Sequence, residues 1–323
     1  MKNKKNPGIT ITALICFGLM MLVLWMYYSV VFGEKEPEQK KEISVVLYYA
    51  GSDSWESSME GIKQAEKDFA VNLNYVTVKD GMSKEEQAEL VRQEIEKGAQ
   101  GILLAAMDAD IMPQEFQDEK GQVPVIAVES SVDAAAYPFF TADNAQMGRV
   151  LGQELLKDFA DKEHIRVAVV EEFMERDSVR ERAAGLYEAL GENVEIVSVQ
   201  RKREDEDMGL FLENTLPNLD VDAVVALSKL PLQLLGEMKA DIMNQKKVYG
   251  IGNTASIVAA LDKGKIEKLV FQNEFNIGYL SVEALVNEID GKQSNAGKID
   301  FYCVDRDDVH EMQYERLLFP IIE

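Results

Sequence analysis

The sequence predicts an α/β protein built from two similar lobes, each a doubly wound parallel sheet, preceded by one transmembrane helix. Three observations carry this expectation. They are an uncharged apolar run near the N-terminus, an alternation of short apolar runs with amphipathic ones beyond residue 42, and a second occurrence of that alternation in the same order.

The apolar run covers residues 9–32, 24 positions without a charge. At about 1.5 Å per residue such a helix spans roughly 36 Å, enough to cross a bilayer. Lys2, Lys4 and Lys5 precede the run and acidic residues dominate after it. The positive-inside rule therefore leaves residues 1–8 in the cytoplasm and carries the rest outside, so the expected location is a single pass through the cell membrane with an extracytoplasmic domain. Trp25, Tyr27 and Tyr28 lie near the outer end, where amphipathic rings favour the interface. A cleaved signal peptide is the rival reading, with "VFG" before Glu34 as its cleavage site, but a signal core is ordinarily shorter. A lipid on Cys16 is disfavoured because Ile15 stands where a small residue is expected just before a lipidated cysteine, and little apolar core precedes it. Residues 33–42 are polar, charged and contain Pro37, which reads as a short extended linker.

Past the linker, "ISVVLYYA" (43–50) is a strand. "SSMEGIKQAEKDFA" (57–70) is a helix with Met59, Ile62, Ala65 and Phe69 on one face. "LNYVTV" (73–78) is a strand, and "SKEEQAELVRQEIEKG" (83–98) is a helix opened by a capping box from Ser83 to Glu86. "GILLAA" (101–106) and "VPVIAV" (123–128) are strands. Continuous apolar strands alternating with helices indicate a parallel sheet covered on both faces. The pattern then recurs. "IRVAVVEEF" (165–173) matches the strand at 43, and the helix of "ERDSVRERAAGLYEAL" (175–190) matches the first helix, with Gly185 in the place of Gly61. "NVEIVSV" (193–199), the stretch 203–227 and "KKVYGIG" (246–252) follow in register with the earlier elements. Similarity at this scale means duplicated architecture, and two large units are not a solenoid.

Composition narrows the function. The chain is 46% hydrophobic and 28% charged, as an ordinary folded protein is. Its formal net charge of −23 argues against nucleic acid and against docking on anionic lipid. The two cysteines are Cys16 and Cys303, so the exported part has no internal disulfide and its core must hold it. His164 and His310 stand in no metal-ligand spacing, so no metal site is expected; composition leaves a Ser-His-Asp triad open, but no G-x-S-x-G turn marks a nucleophile. "GIGNTA" (250–255), with Glu274 some twenty residues on, resembles a dinucleotide fingerprint. That fingerprint normally opens its domain, whereas this one falls in the last third, so an NAD-dependent enzyme is a remote reading and no cofactor is expected.

Two doubly wound lobes imply a cleft, because ligands sit beyond the carboxyl ends of the strands. The helix near 178–190 lies on its rim. Val179, Ala183, Leu186 and Leu190 make its apolar face, and Ser178 with Glu181 reads as a capping box that starts it at about Ser178. Arg180 then sits in the first turn, where the helix dipole disfavours a cation. It either presents its donors to the cleft, opposite a ligand or Glu129, or pairs with Glu175 or Asp177 at the surface. Arg182, about 200° around the helix from Arg180, reads as a surface or lobe-packing charge. Glu129 ends a strand at the cleft mouth, Trp55 is a stacking or core residue, and Asp143 with Gln146 fits a structural cap.

Residues 43–323 resemble the type I periplasmic binding proteins of the ribose and galactose kind, which share their core with the ligand-binding domain of lac-type repressors. The resemblance rests on the order and spacing of "DSWESSMEGIKQAEKDF", "QGILLAAMDAD", "VPVIAVES", "FFTADNAQMGRVLG", "DSVRERAAGL", "DAVVALS", "VYGIGNT" and "GKIEKLVFQNEFNIGYLSVEAL". It implies three crossings between the lobes, near Ala142, Gln272 and Val304. The N-terminal lobe is then 43–142 plus 273–303, and the C-terminal lobe 143–272 plus 304–323. It implies a non-enzymatic protein, monomeric outside the membrane, that closes on a sugar-like solute for an ABC transporter permease or, alternatively, signals to a membrane sensor. Arg180, Trp55 and Gln272 fall at ligand-contacting positions. Ser54, Glu129, Ser228 and Asn253 complete the expected site. "VES" (128–130) replaces an Asp-Arg pair, and Ser228 and Gly252 replace Asn and Asp, so several direct sugar contacts differ.

Overall fold

The computed structural model describes residues 17–28, 40–48, 54–79, 82–111, 117–118, 121–132, 137–201, 206–292, 294 and 299–318. Met1–Lys40 and Lys41–Glu323 are separate units. In the first, residues 17–28 are helical with every side chain exposed. Among the described residues no helix is long and apolar enough to cross a membrane. The rest of the expected span 9–32, the basic residues 1–8 and most of the linker 33–42 lie outside the described residues.

The second unit holds both lobes. Strands β1 (Glu42–Leu47), β2 (Asn72–Thr77), β3 (Gly101–Ala105), β6 (Val125–Val128) and β7 (Phe139–Phe140) form a parallel sheet in the order β2-β1-β3-β6-β7. The short strands β4 (Gln117–Asp118) and β5 (Gly121–Gln122) form a separate antiparallel pair. In the other lobe β8 (Ile165–Val170), β9 (Val194–Val199), β10 (Ala223–Ala226), β11 (Lys247–Ile251) and β12 (Lys268–Gln272) run parallel, and β13 (Phe301–Val304) adds an antiparallel edge. The orders β2-β1-β3-β6 and β9-β8-β10-β11 are the same doubly wound arrangement, so the duplication read in the sequence is a duplication of topology. Strands β3, β6 and β10 are buried along their whole length, which is why they read as unbroken apolar runs.

Helices α1 (Glu56–Asp68), α2 (Lys84–Glu96), α3 (Asn144–Asp158), α4 (Asp177–Leu190), α5 (Met208–Thr215), α6 (Lys229–Glu237), α7 (Ala255–Asp262), α8 (Glu274–Ile289) and α9 (Met312–Leu318) cover the sheets. The capping box at Ser83 is present with both of its bonds, and Asp143 caps α3 by accepting from Gln146 N–H at 2.9 Å. Two helix pairs cross at glycines. A Cβ on Gly61 would stand 2.0 Å from the Phe275 carbonyl oxygen where α1 meets α8, and one on Gly185 1.9 Å from the Ala145 oxygen where α3 meets α4. The match of Gly185 with Gly61 therefore has a physical cause: each lobe needs one backbone-to-backbone helix contact. One continuous core cluster includes Ile43, Leu103 and Leu285 together with Val167, Leu186 and Tyr249, and so runs across both lobes.

The crossings meet at one place. Ala142 pairs with Ile299, Gln272 Oε1 accepts from Ala142 N–H at 3.0 Å, and Asn273 N–H donates to Asp300 O at 2.9 Å. The third crossing is thus near Ile299 rather than Val304, because residues 301–304 already pair with β12 in the second sheet. Helix α4 also departs from expectation. It starts at Asp177 without a side-chain cap, and no capping box joins Ser178 to Glu181. Ser178 N–H donates instead to Ser130 Oγ of the facing lobe at 3.2 Å, so an orphan donor of the helix end is satisfied across the cleft.

Candidate functional site

The strand ends of both lobes face one cleft, and the residues following them build its lining. Glu129 follows β6 and Phe173 follows β8. Both are non-glycine residues in the left-handed region, with φ of 68° and 63°. Such geometry costs about 1–3 kcal/mol per residue and gathers at functional sites.

Deep in the cleft, Glu129 is the hub. It is 6% exposed. Its Oε1 accepts from Arg182 of α4 at 3.0 Å, and its Oε2 accepts from Tyr48 Oη at 2.8 Å and Ser178 Oγ at 3.4 Å. Burial pushes the Glu129 carboxyl up, but Arg182, Arg176, the Tyr48 hydrogen bond and Lys229 together hold it below its ordinary value. Arg182 also donates to Asn144 Oδ1 and to the Leu227 carbonyl. Beside this cluster Lys229 Nζ, at the start of α6, reaches the Ser54 carbonyl at 2.5 Å and Glu274 at 2.6 Å. Trp55 Nε1 donates to the Tyr48 carbonyl, and its ring meets Tyr48 edge-on with centroids 5.0 Å apart. The guanidinium of Arg176 lies over the Tyr48 ring at 3.6 Å and over Phe173 at 4.3 Å.

Little space remains at this depth. A cavity of about 20 Å³ is bounded by Trp55, Glu129, Arg176 and Ser228, and one of about 10 Å³ by Arg182, Gln272 and Glu274. Toward the mouth the cleft widens to a cavity of about 570 Å³. Lys79, Lys84 and Asp108 line it from the first lobe, and Glu172, Phe173, Arg176 and Arg201 from the second. Lys84 pairs with Asp108 at 2.9 Å and Arg201 with Glu172 at 3.1 Å. Among the described residues no cluster of His, Cys, Asp and Glu could hold a metal ion.

Of the residues expected at the site, Ser54, Trp55, Glu129 and Ser228 come together around the inner cavity. Among the described residues the buried Ser228 Oγ has no hydrogen-bond partner. Gln272 borders the smallest cavity and also ties two crossings together. Asn253 is buried but borders neither inner cavity nor the mouth. Arg180 is placed outside the cluster. Its side chain is 48% exposed, it pairs with Asp177 and it donates to the Met174 and Glu175 carbonyls. Arg182 occupies the interior instead, so the reading of it as a surface charge is corrected while lobe packing describes it well. Both outcomes follow from the buried arc of α4, which extends past the apolar stripe to Ser178 and Gly185. Arg182 lies on that side, roughly 60° from Val179, and Arg180 roughly 100° away on the other. Tyr48, Phe173, Arg176, Lys229 and Glu274 were not expected. The strand-end positions of Tyr48, within "YYA", and of Phe173, closing "IRVAVVEEF", were their visible signals.

Comparison with known proteins agrees with the fold. A family described as periplasmic binding protein domain matches residues 43–293. A carbohydrate transporter solute binding protein from Agrobacterium radiobacter, solved with D-arabinose, is similar at 20% identity over 87% of this chain and 99% of its own, with a TM-score of 0.77. An ABC transporter solute binding protein from Agrobacterium vitis, solved with D-fucose, is 16% identical over 86% and 100%, with a TM-score of 0.76. A chain of the XylFII–LytSN complex is 18% identical over 84% and 99%, with a TM-score of 0.70. The comparison with curated proteins finds no match. With three-quarters of the sequence matched and the two-lobe fold in place, this chain belongs to the family of periplasmic binding protein domains.

Proposed function

We propose that the two-lobe unit is a non-enzymatic solute-binding protein that holds a small polar, sugar-like ligand between its lobes. The observation that carries the reading is the cavity of about 570 Å³ walled by strand-end loops of both lobes, a size within the usual range of small-molecule sites. Hinged crossings bundled at Ala142, Gln272 and Ile299 let such lobes open and close. The D-arabinose and D-fucose bound by similar structures support a carbohydrate as the starting class. The uncharged run 9–32 with its leading lysines supports a membrane anchor that keeps the unit on the outer face, where it hands ligand to an ABC transporter permease. A second reading, in which the occupied state is passed to a partner protein, is supported by the solved XylFII–LytSN complex.

The test is thermal-shift screening of the full-length protein in mild detergent against sugars, polyols and small polar metabolites. A true ligand raises stability by about 2.7 kcal/mol at a hundredfold excess over its dissociation constant. A flat response across the library counts against solute binding. For the anchor, the protein should stay with membranes after a carbonate wash, and a soluble mature chain beginning at Glu34 would defeat it.

A further inference from the structure

The cations of the cleft differ in one respect. Arg182 is held by Glu129, Lys229 by Glu274 and Arg201 by Glu172. Arg176 is 5% exposed, its Nε has no hydrogen-bond partner, and among the described residues no carboxylate lies within ion-pair distance of it. A guanidinium does not shed its proton in a protein, and a buried charge without a partner is strongly destabilising. The side chain is nevertheless held firmly. Tyr48 and Phe173 pack on it, and its backbone N–H closes a turn onto the Phe173 carbonyl at 3.1 Å, with Phe173 in the left-handed region. It forms part of the wall of both the 570 Å³ cavity and the inner one. Ser228 Oγ, also buried without a partner among the described residues, borders the same inner space.

We infer that the ligand of this cleft carries a carboxylate that pairs with Arg176, making it a sugar acid or similar polyhydroxy carboxylate rather than a neutral sugar. The inference rests on the solute-binding reading and names its ligand class. The guanidinium fork matches a carboxylate with two parallel hydrogen bonds, which an ammonium cannot do. The cavity is far larger than an inorganic anion needs, and Phe173, Met82 and Met107 give it apolar wall for a carbon skeleton. The anions already facing that space are engaged elsewhere: Asp108 with Lys84, Glu172 with Arg201, and Glu171 with Tyr187, Ser198 and Gln200. Burial pushes the carboxyl of Glu175, on the same wall, up from its ordinary value, while the neighbouring Arg176 draws it down.

The experiment is calorimetric titration of the full-length protein with D-galacturonate, D-glucuronate and D-gluconate, set against D-galactose and D-glucose. The acids should bind at least tenfold more tightly than the neutral sugars. Arg176→Gln should weaken acid binding about ten- to a hundredfold, the usual worth of a charged hydrogen bond, and Arg176→Lys should fall between. Arg176→Gln should also raise the melting temperature of the ligand-free protein, whereas an arginine kept for structure alone would give a lower one. Neutral sugars binding as tightly as acids, or equal acid affinity in Arg176→Gln, overturns the inference and leaves the solute-binding reading standing. Absence of binding by every compound in both arms overturns both.

Discussion

Replacing Glu129 by Gln should cost more stability than any other single isosteric change in the cleft. The substitution keeps shape and removes one charge. It leaves Arg182, with its side chain 4% exposed, without the carboxylate that now stands 3.0 Å away, and it weakens the acceptor of Tyr48 Oη at 2.8 Å. Breaking a buried ion pair from one side costs about 3–5 kcal/mol, most of it from the stranded charge. At about 2–4 °C per kcal/mol for a unit of this order of size, the melting midpoint should drop by roughly 6–20 °C. The pH profile provides an internal check. The folded pKa of Glu129 lies below the ordinary 4.5, so its contribution is complete above the unfolded value and is lost as pH falls through the folded one. The gap between wild type and Glu129→Gln should therefore be widest near neutrality, begin to narrow as pH falls below the ordinary 4.5 and close only below the folded value. Urea unfolding of Glu129→Gln, Arg182→Met and the double variant gives the coupling. A pairwise term of at least about 1 kcal/mol is expected for groups in contact. Additive losses, or a midpoint for Glu129→Gln within the scatter of wild type, would refute the view of Glu129 as the electrostatic hub of the lobes.

Two further outcomes are expected. Gly185→Ala should destabilise by about 1–3 kcal/mol, since its Cβ would lie 1.9 Å from the Ala145 carbonyl oxygen and force α3 and α4 apart; a thermal midpoint equal to wild type would mean the helices are not in that contact. Arg180→Ala should change stability by less than about 1 kcal/mol, as befits an exposed pair with Asp177, and titration with the ligand of the cleft should give nearly wild-type affinity; a large loss of binding would place Arg180 in the site after all.

Helix α4 shows where reading the sequence succeeds and where it stops. Val179, Ala183, Leu186 and Leu190 are buried as their spacing requires, because helical periodicity is a property of the local chain. The match of Gly185 to Gly61 was equally visible, since a close helix crossing admits no Cβ. Which arginine turns inward was not visible. That depended on α3 lying against the Gly185 side of α4, which widens the buried arc until it includes Arg182 and leaves Arg180 in solvent. The start of the helix was misjudged for a related reason: Ser178 carries the residue types of a capping box, yet it bonds to Ser130 and Glu129 of the other lobe.

By itself the sequence determined the alternation of strand and helix, its duplication, the cleft between two lobes and four of the residues around its inner end. The alternation and its duplication follow from periodicities and glycine positions a few residues apart, whereas Ser54, Trp55 and Ser228 were implied by the resemblance to binding proteins. Only the tertiary structure decided which charges meet. Glu129 finds Arg182 and Lys229 finds Glu274 because the crossings at Ala142, Gln272 and Ile299 fix the two sheets face to face. Arg176 comes to lie between Tyr48 and Phe173, with no carboxylate among the described residues in ion-pair contact, for the same reason. The energy of a buried charge depends on atoms within a few ångströms of it, and those atoms come from distant parts of the chain.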